Sequence, residues 1–487
     1  MMKRRKSNLN TNHKCQGYQP KMSIIPKHPQ VASLRISFFP ENAYLRGMKA
    51  KSIFRIIFLV LLAAILGGCL YLNSLMPIIT GYAAKNLASA VFVSGRDQAD
   101  VEALDLNFSF IKFVKNKVDR ENKTVTSRFL WGKSTAVYRD GYGVTLLRGK
   151  TVDQLQELDY PLEPEVEMPD PLPVGDSLTA ARLEPIARAF VDDQAYNGTP
   201  FAFVVLHKGG VVAERYGEGI TADTRLLSWS MAKSFVNAMA GVMAKDGLVD
   251  VYAPVDFPEW REDGRKAITL NDLMQMQSGL EWNEDYGSRS DVNLMLHREN
   301  DMDLYAMSKP LEYEPGTHWY YSSGATNIVV RYLRSKFGSD REFLAYIRAR
   351  LFAPLSIQNA FFETDMDGTP VGSSYLYVTA RDYACFGQMY LDDGCFGGER
   401  ILPENWVEYT TTPASDSEGG YGAFFWLNRG GRYPDAPEDL FSCNGHDGQE
   451  IFIIPSKELV VVILGYSPKP DHVIDFNGLL KDIINCL

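Results

Sequence analysis

The stretch Ser228-Trp229-Ser230-Met231-Ala232-Lys233-Ser234-Phe235 decides how this chain is read. It leads into an amphipathic segment with Phe235, Ala238, Met239, Val242 and Met243 on one helical face, and Gly247 ends it. Ser230 and Lys233 stand three apart at the start of that helix, so their side chains share a face. A serine hydroxyl becomes a nucleophile when a neighbour takes its proton, and a partly buried lysine of lowered pKa can do so. The helix N-terminus adds a positive dipole and free N–H groups beside developing negative charge. The same residues also suit a helix cap and a solvated lysine, and a chain of 487 residues holds about one or two Ser-x-x-Lys by chance. Context has to decide.

About ninety positions on, Pro315-Gly316 opens a turn followed by His318-Trp319-Tyr320-Tyr321-Ser322-Ser323 and an apolar helix from Ile328. Tyr321 is the candidate acid/base, because a phenol beside an ammonium loses its proton more easily than in water. Read alone, the segment favours a core tyrosine with a hydrogen-bonded hydroxyl. Near the end, Asn444-Gly445-His446-Asp447-Gly448-Gln449 opens the strand Glu450 to Ile454. Its glycines permit close backbone approach to a ligand, and such a strand edge offers N–H groups to a carbonyl oxygen. His446 is placed to contact substrate or the Tyr/Ser pair.

Together these segments resemble the serine β-lactamase and penicillin-binding-protein superfamily, in its class C branch with the esterases and 6-aminohexanoate-dimer hydrolases. The resemblance covers roughly residues 180 to 487. Ser230-Met231-Ala232-Lys233 matches Ser-x-x-Lys, Tyr321-Ser322-Ser323 falls where the family has Tyr-x-Asn, and His446-Asp447-Gly448 where it has Lys-Thr-Gly or His-x-Gly. The helix and turn LNDLMQMQSGL, Leu270 to Leu280, looks like the Ser-Gly-Leu element between the first two motifs. The resemblance implies an acyl-enzyme on Ser230, proton handling by Lys233 and Tyr321, and an oxyanion held by backbone N–H groups of Ser230 and Gln449. It requires neither metal nor organic cofactor. Tyr286, in Trp282 to Tyr286, falls where relatives place a substrate-contacting loop.

Ser323 stands where β-lactamases keep an Asn, and His446 where they keep a Lys that favours the substrate carboxylate. Both departures, with no class A carboxylate base, favour a linear amide or ester over a β-lactam. Two alternatives stay open: a D,D-peptidase acting on cell-wall peptides, and a catalytically silent fold serving as a sensor or binding module.

The rest of the chain adds organisation. Residues 1 to 55 hold twelve Lys/Arg and one acid within a chain of net charge −10, leaving an acidic body, and this balance disfavours nucleic acid as a partner. An uncharged stretch from Ile56 to Ala84 is long enough for a membrane-spanning helix. The flanking basic residues predict a cytoplasmic tail and a periplasmic or extracellular body, tethered to a bacterial inner membrane. A second reading begins at Met48 and ends at Leu66-Gly67-Gly68-Cys69, the order of a lipoprotein signal, leaving residues 1 to 47 as a short tail or a misassigned start.

The expected divisions are a basic tail over 1–52, an anchor over 53–76, a small β-rich extension over 77–160, a proline-rich linker over 161–176 and the hydrolase domain over 177–487. The last is expected as α+β, one antiparallel sheet assembled from both ends of the domain with a helical insert on one side. Its strand signals are Phe201 to His207, Val211 to Tyr216, Tyr421 to Asn428, Glu450 to Pro455 and Leu459 to Gly465, with a final helix from about Asp471. The six cysteines lack CxxC pairing, so no metal site is expected; export would permit a bridge such as Cys385 with Cys395, but unbridged buried thiols are the commoner state and the expectation here. Gly175-Asp176-Ser177-Leu178 spells another hydrolase signature but follows the proline-rich linker, where helix entry explains it. Gly143 to Thr151 fails the spacing of a phosphate loop.

Overall fold

A computed structural model describes residues 50–155, 172–358, 360–466 and 474–487. Most of the basic tail and of the proline-rich linker thus lies outside the described residues. The chain divides into two compact units, Met1–Gly67 and Gly68–Leu487. In the first, the described residues belong to the N-terminal part of helix α1, Ala50–Phe92.

Helix α1 is long and apolar enough to cross a membrane. Its course departs from expectation, because residues 77–92, assigned to a β-rich extension, continue the helix. They do so because that apolar stretch is buried by protein. Ile79, Ala83, Ala84, Leu87 and Ala88 form a small core with Val125, Ala136 and Val144. The β-rich part follows as an antiparallel meander, β1 Lys115–Asp119, β2 Thr124–Phe129, β3 Gly132–Arg139 and β4 Gly143–Leu146.

The hydrolase domain begins with helix α2, Ser177–Val191, capped by Asp176, whose carboxylate accepts from Thr179 N at 2.7 Å. Hairpin β5 Thr199–His207 and β6 Gly210–Tyr216 follows, then helices α3 Ala232–Lys245, α4 Ser323–Arg334 and α5 Ala380–Leu391. The chain returns to strand in β7 Trp426–Leu427, β8 Phe441–Gly445, β9 Gln449–Ile454 and β10 Leu459–Tyr466, and closes with helix α6, Phe476–Cys486. These strands make one six-stranded antiparallel sheet in the order β7-β8-β9-β10-β5-β6. Both ends of the domain therefore meet at the β10–β5 pairing, as expected.

Alternation along the strands divides the core between the two faces. Val204, Leu206, Ile451, Val460 and Val462 face the helical insert, with Phe235 and Met239 of α3. Phe203, Val205, Phe452, Val461 and Ile463 face α2 and α6. Every residue of β9 and β10 is buried, and β10 and the Ile451–Ile454 part of β9 read as continuous apolar runs. One expectation is corrected. Tyr421 to Asn428 pairs as strand only at Trp426–Leu427, because Phe424 turns to φ 61°. Cys385 and Cys395 form no disulfide, the commoner state for such thiols.

Candidate active site

Ser230 sits in a tight turn, Trp229–Met231, that runs directly into α3. Trp229 holds φ 45° there, a left-handed conformation that costs a bulky residue on the order of 1–3 kcal/mol. Its surroundings over-determine it. The indole stacks on Tyr82 at 6.2 Å and meets His446 edge-on at 5.4 Å. From behind, β8 abuts the same turn, since a Cβ on Gly445 would lie 2.3 Å from Ser228 O. Gly445 thus serves close approach between two backbones, where the sequence suggested approach to a ligand.

Lys233 is the second residue of α3 and is buried. Its Nζ donates to Ser230 Oγ at 2.9 Å, Ser323 Oγ at 3.1 Å and the Ser373 carbonyl at 2.9 Å. An ammonium has three hydrogens, so all are used. When the amine is neutral, Ser323 and Ser373 can occupy the two that remain, which turns the lone pair toward Ser230. Burial drives the pKa of Lys233 down to about 8, against the opposing charge of Glu284. Desolvation wins, and the amine gains a substantial neutral fraction near physiological pH.

Ser323 opens α4, behind the capping hydroxyl of Ser322, which accepts from Ala325 N at 3.1 Å. Its own hydroxyl donates to Glu284 Oε1 at 2.6 Å, and its N–H donates to Glu284 Oε2 at 2.9 Å. Glu284 also accepts from Tyr286 Oη at 3.2 Å and Trp282 Nε1 at 2.5 Å. The loop carrying these residues leaves the Ser278-Gly279-Leu280 turn, where Gly279 has φ 74° and a Cβ would fall 2.1 Å from Tyr313 O. Only glycine fits there. Asn293 Nδ2 then pins the loop, donating to the carbonyls of Asp285, Tyr286 and Ser288 at 3.3, 3.1 and 2.8 Å.

Tyr321 packs its ring 5.0 Å from Lys233 Nζ, and its hydroxyl lies on the side of the Ser230 hydroxyl. The expected easy deprotonation of this phenol is corrected. Burial, and next the charge of Glu284, push its pKa well up, with the Ser230 hydroxyl opposing weakly. Tyr321 is thus held in its neutral form. Tyr286 is likewise held neutral by burial, and its ring stacks on His446 at 5.1 Å.

Ser230, Lys233, Tyr321, Ser323, Tyr286 and His446 therefore form one connected group. Gln449 reaches it through Nε2, which donates to the His446 carbonyl at 3.2 Å, while the rest of its amide exchanges hydrogen bonds with the backbone of Gly465. Gly448 is placed otherwise. At φ 93° its free side faces Ile474 and Phe476, so its part is to shape the turn. Sequence reasoning missed Glu284, although it lies inside the quoted Trp282 to Tyr286, and Ser373, which contributes a carbonyl and carries no side-chain signal. Asn327 Oδ1 accepts from Ser373 N at 3.1 Å and so holds that carbonyl.

Elsewhere, Asp301, Asp303 and Asp365 bring carboxylate oxygens within 4.8 Å of one another. Arg331 Nη1 donates to Asp303 Oδ1 at 2.6 Å, and burial followed by the charge of Asp303 pushes Asp301 and Asp365 up to about 7. The cluster shares no residue with the Ser230 group.

A sheet closed from both ends of the domain, with a serine, a buried lysine and a tyrosine meeting at the head of its central helix, defines a serine hydrolase. The chain belongs to the Beta-lactamase family, whose model matches residues 183–479. It is 27% identical over 318 residues to the 6-aminohexanoate-dimer hydrolase of Paenarthrobacter ureafaciens, covering 59% of this chain and 78% of that protein. Among solved structures it is similar to EstCE1, a hydrolase with promiscuous acyltransferase activity, at TM-score 0.52 and 14% identity, over 64% of this chain and 99% of that one. A family VIII carboxylesterase matches at TM-score 0.50 and 17% identity, over 65% and 99%. At those identities the structures speak for the fold.

Proposed function

We propose that this chain is a membrane-tethered hydrolase that cleaves a linear amide or ester through an acyl-enzyme on Ser230. The observation that carries this reading is the buried Lys233 amine, 2.9 Å from Ser230 Oγ with its other two hydrogens committed to Ser323 and Ser373. Ser230 Oγ attacks the carbonyl carbon and its proton passes to Lys233 Nζ. Backbone N–H groups of Ser230 and Gln449 receive the oxyanion. Tyr321, held neutral, gives its proton to the departing nitrogen or oxygen and recovers one from Lys233 through the Ser230 site. Water then attacks the ester, with the same groups acting in reverse.

The similarity to 6-aminohexanoate-dimer hydrolase supports a short linear amide as substrate class, and the stacked Tyr286–His446 pair offers a flat apolar wall for its chain. A tether is supported by α1, whose large apolar side chains between Phe54 and Leu72 are exposed over roughly 28 Å of helix, close to the thickness of a bilayer core.

Intact-mass analysis of the full chain in detergent after incubation with a fluorophosphonate, beside Ser230→Ala, tests the nucleophile. One adduct is expected on the parent and none on the variant. An adduct that persists in Ser230→Ala refutes the assignment. Penicillin in a parallel incubation separates a long-lived β-lactam acyl-enzyme, the mark of a D,D-peptidase, from the linear-substrate reading.

A further inference from the structure

The β1–β4 sheet lies outside the family match and contributes no side chain to the Ser230 group. Its hairpin tip is unusual. β2 ends at Phe129 and β3 begins at Gly132, in register with each other, so Leu130 and Trp131 form a two-residue turn. Such turns favour Asn-Gly, because their backbone needs positive φ. Here Leu130 adopts φ 49°, and both side chains are more than half exposed. A strained turn that spends its two positions on exposed Leu and Trp presents them to something.

Their neighbours share this character. Phe110 and Phe113 are more than half exposed, and Phe110 precedes and Phe113 ends one turn of three-residue-per-turn helix, Ile111–Phe113, which puts them on the same side. Phe110 packs on Phe129 at 6.2 Å. The tip also abuts α1 where that helix changes from exposed to buried. Trp131 Nε1 donates to Asn73 Oδ1 at 2.9 Å, and Gly132 lies against Met76, while Leu70 and Tyr71, a turn earlier, are open. Behind this apolar edge, Lys115, Arg128 and Lys133 stand directly opposite one another across β1, β2 and β3, all exposed, with Lys112 alongside. Like charges so opposed destabilise a sheet unless an anionic partner offsets them.

We infer that this edge seats in the interfacial zone of an anionic lipid bilayer, with Trp131, Leu130, Phe110 and Phe113 entering the headgroup boundary and the basic row meeting lipid phosphates. The small sheet is then a collar that rests the catalytic unit on the membrane. This inference draws on the tether reading for its bilayer, and it has its own test.

The full chain is reconstituted in vesicles of phosphatidylcholine with or without phosphatidylglycerol, using acyl chains brominated near the headgroup, and tryptophan quenching is compared with that of Trp131→Phe. The expected result is a quenched component that disappears in Trp131→Phe. In the phosphatidylglycerol vesicles, the equilibrium constant for the seated state falls about five-fold for each charge removed in Arg128→Gln and Lys133→Gln. Equal quenching of parent and Trp131→Phe overturns the inference. Alkaline carbonate extraction of the same vesicles reads the tether separately. Protein retained by the bilayer with Trp131 unquenched sinks the collar and leaves the anchor. Protein extracted by carbonate after Trp131-dependent quenching before the alkaline step sinks the anchor and leaves the collar.

Discussion

Ser323 gives its only hydroxyl hydrogen to Glu284 Oε1 at 2.6 Å, and therefore meets Lys233 Nζ, 3.1 Å away, as an acceptor. The carboxylate thus orients the hydroxyl that orients the amine. It also stabilises the ammonium, opposing the desolvation that brings Lys233 down to about 8.

Replacing Glu284 with Gln removes the charge and keeps an acceptor for Ser323. The pKa of Lys233 should fall further, so the acid limb of kcat/KM against pH moves to lower pH. An acid limb that stays in place would show that Glu284 does not act on Lys233. Glu284→Ala should add a stability loss of about 1–3 kcal/mol, because the buried Ser323 N–H loses its partner, measurable as a lower urea midpoint.

Lys233→Arg keeps a cation but cannot release a proton at any working pH. It should lose activity as fully as Lys233→Ala, by about 10²- to 10⁴-fold in kcat/KM, the usual worth of a general base. Activity in Lys233→Arg close to the parent would mean that the charge, and no proton transfer, is what the site uses.

The pH dependence has a definite sign. Below about 8 Lys233 is mostly protonated and cannot accept the Ser230 proton. The rate of acylation should rise about ten-fold per pH unit on the acid side and level off above 8. Because Tyr321 is held neutral by burial, no second ionisation should appear between pH 8 and 10. A fall of acylation in that range would contradict the neutral phenol.

How far the site could be read from the chain follows from what kind of contact each residue makes. Ser230 and Lys233 were legible because helical spacing alone brings them together. The sheet was legible because β5, β9 and β10 each carry an apolar run, Phe201 to Leu206, Ile451 to Ile454 and Leu459 to Leu464. Glu284 was not, since its carboxylate reaches Ser323 only through a loop held by Asn293 to three carbonyls. Ser373 acts through its backbone. The phenol of Tyr321 was read with the wrong sign because proximity to an ammonium is visible in a motif, whereas desolvation by packed neighbours is not. Helix α1 ran past its expected end for a related reason. Hydropathy responds to apolar side chains equally, whether lipid or β1–β4 covers them.

Lys85, on the buried part of α1, forms a fully buried ion pair with Glu363. Glu363 also accepts from Ser89 Oγ at 2.9 and 3.0 Å and from Val144 N at 2.7 Å. One carboxylate therefore joins α1, β4 and the hydrolase domain, although the first two lie outside the family match. Lys85→Ala leaves that carboxylate buried without its cation and should cost about 3–5 kcal/mol. Lys85→Met with Glu363→Gln removes both charges while keeping an acceptor for Ser89 and Val144, and should recover most of the loss. Urea unfolding of the three proteins, followed by intrinsic fluorescence, measures this. If Lys85→Ala matches the parent within about 0.5 kcal/mol, α1 is not joined to the hydrolase domain in the way its buried charges imply.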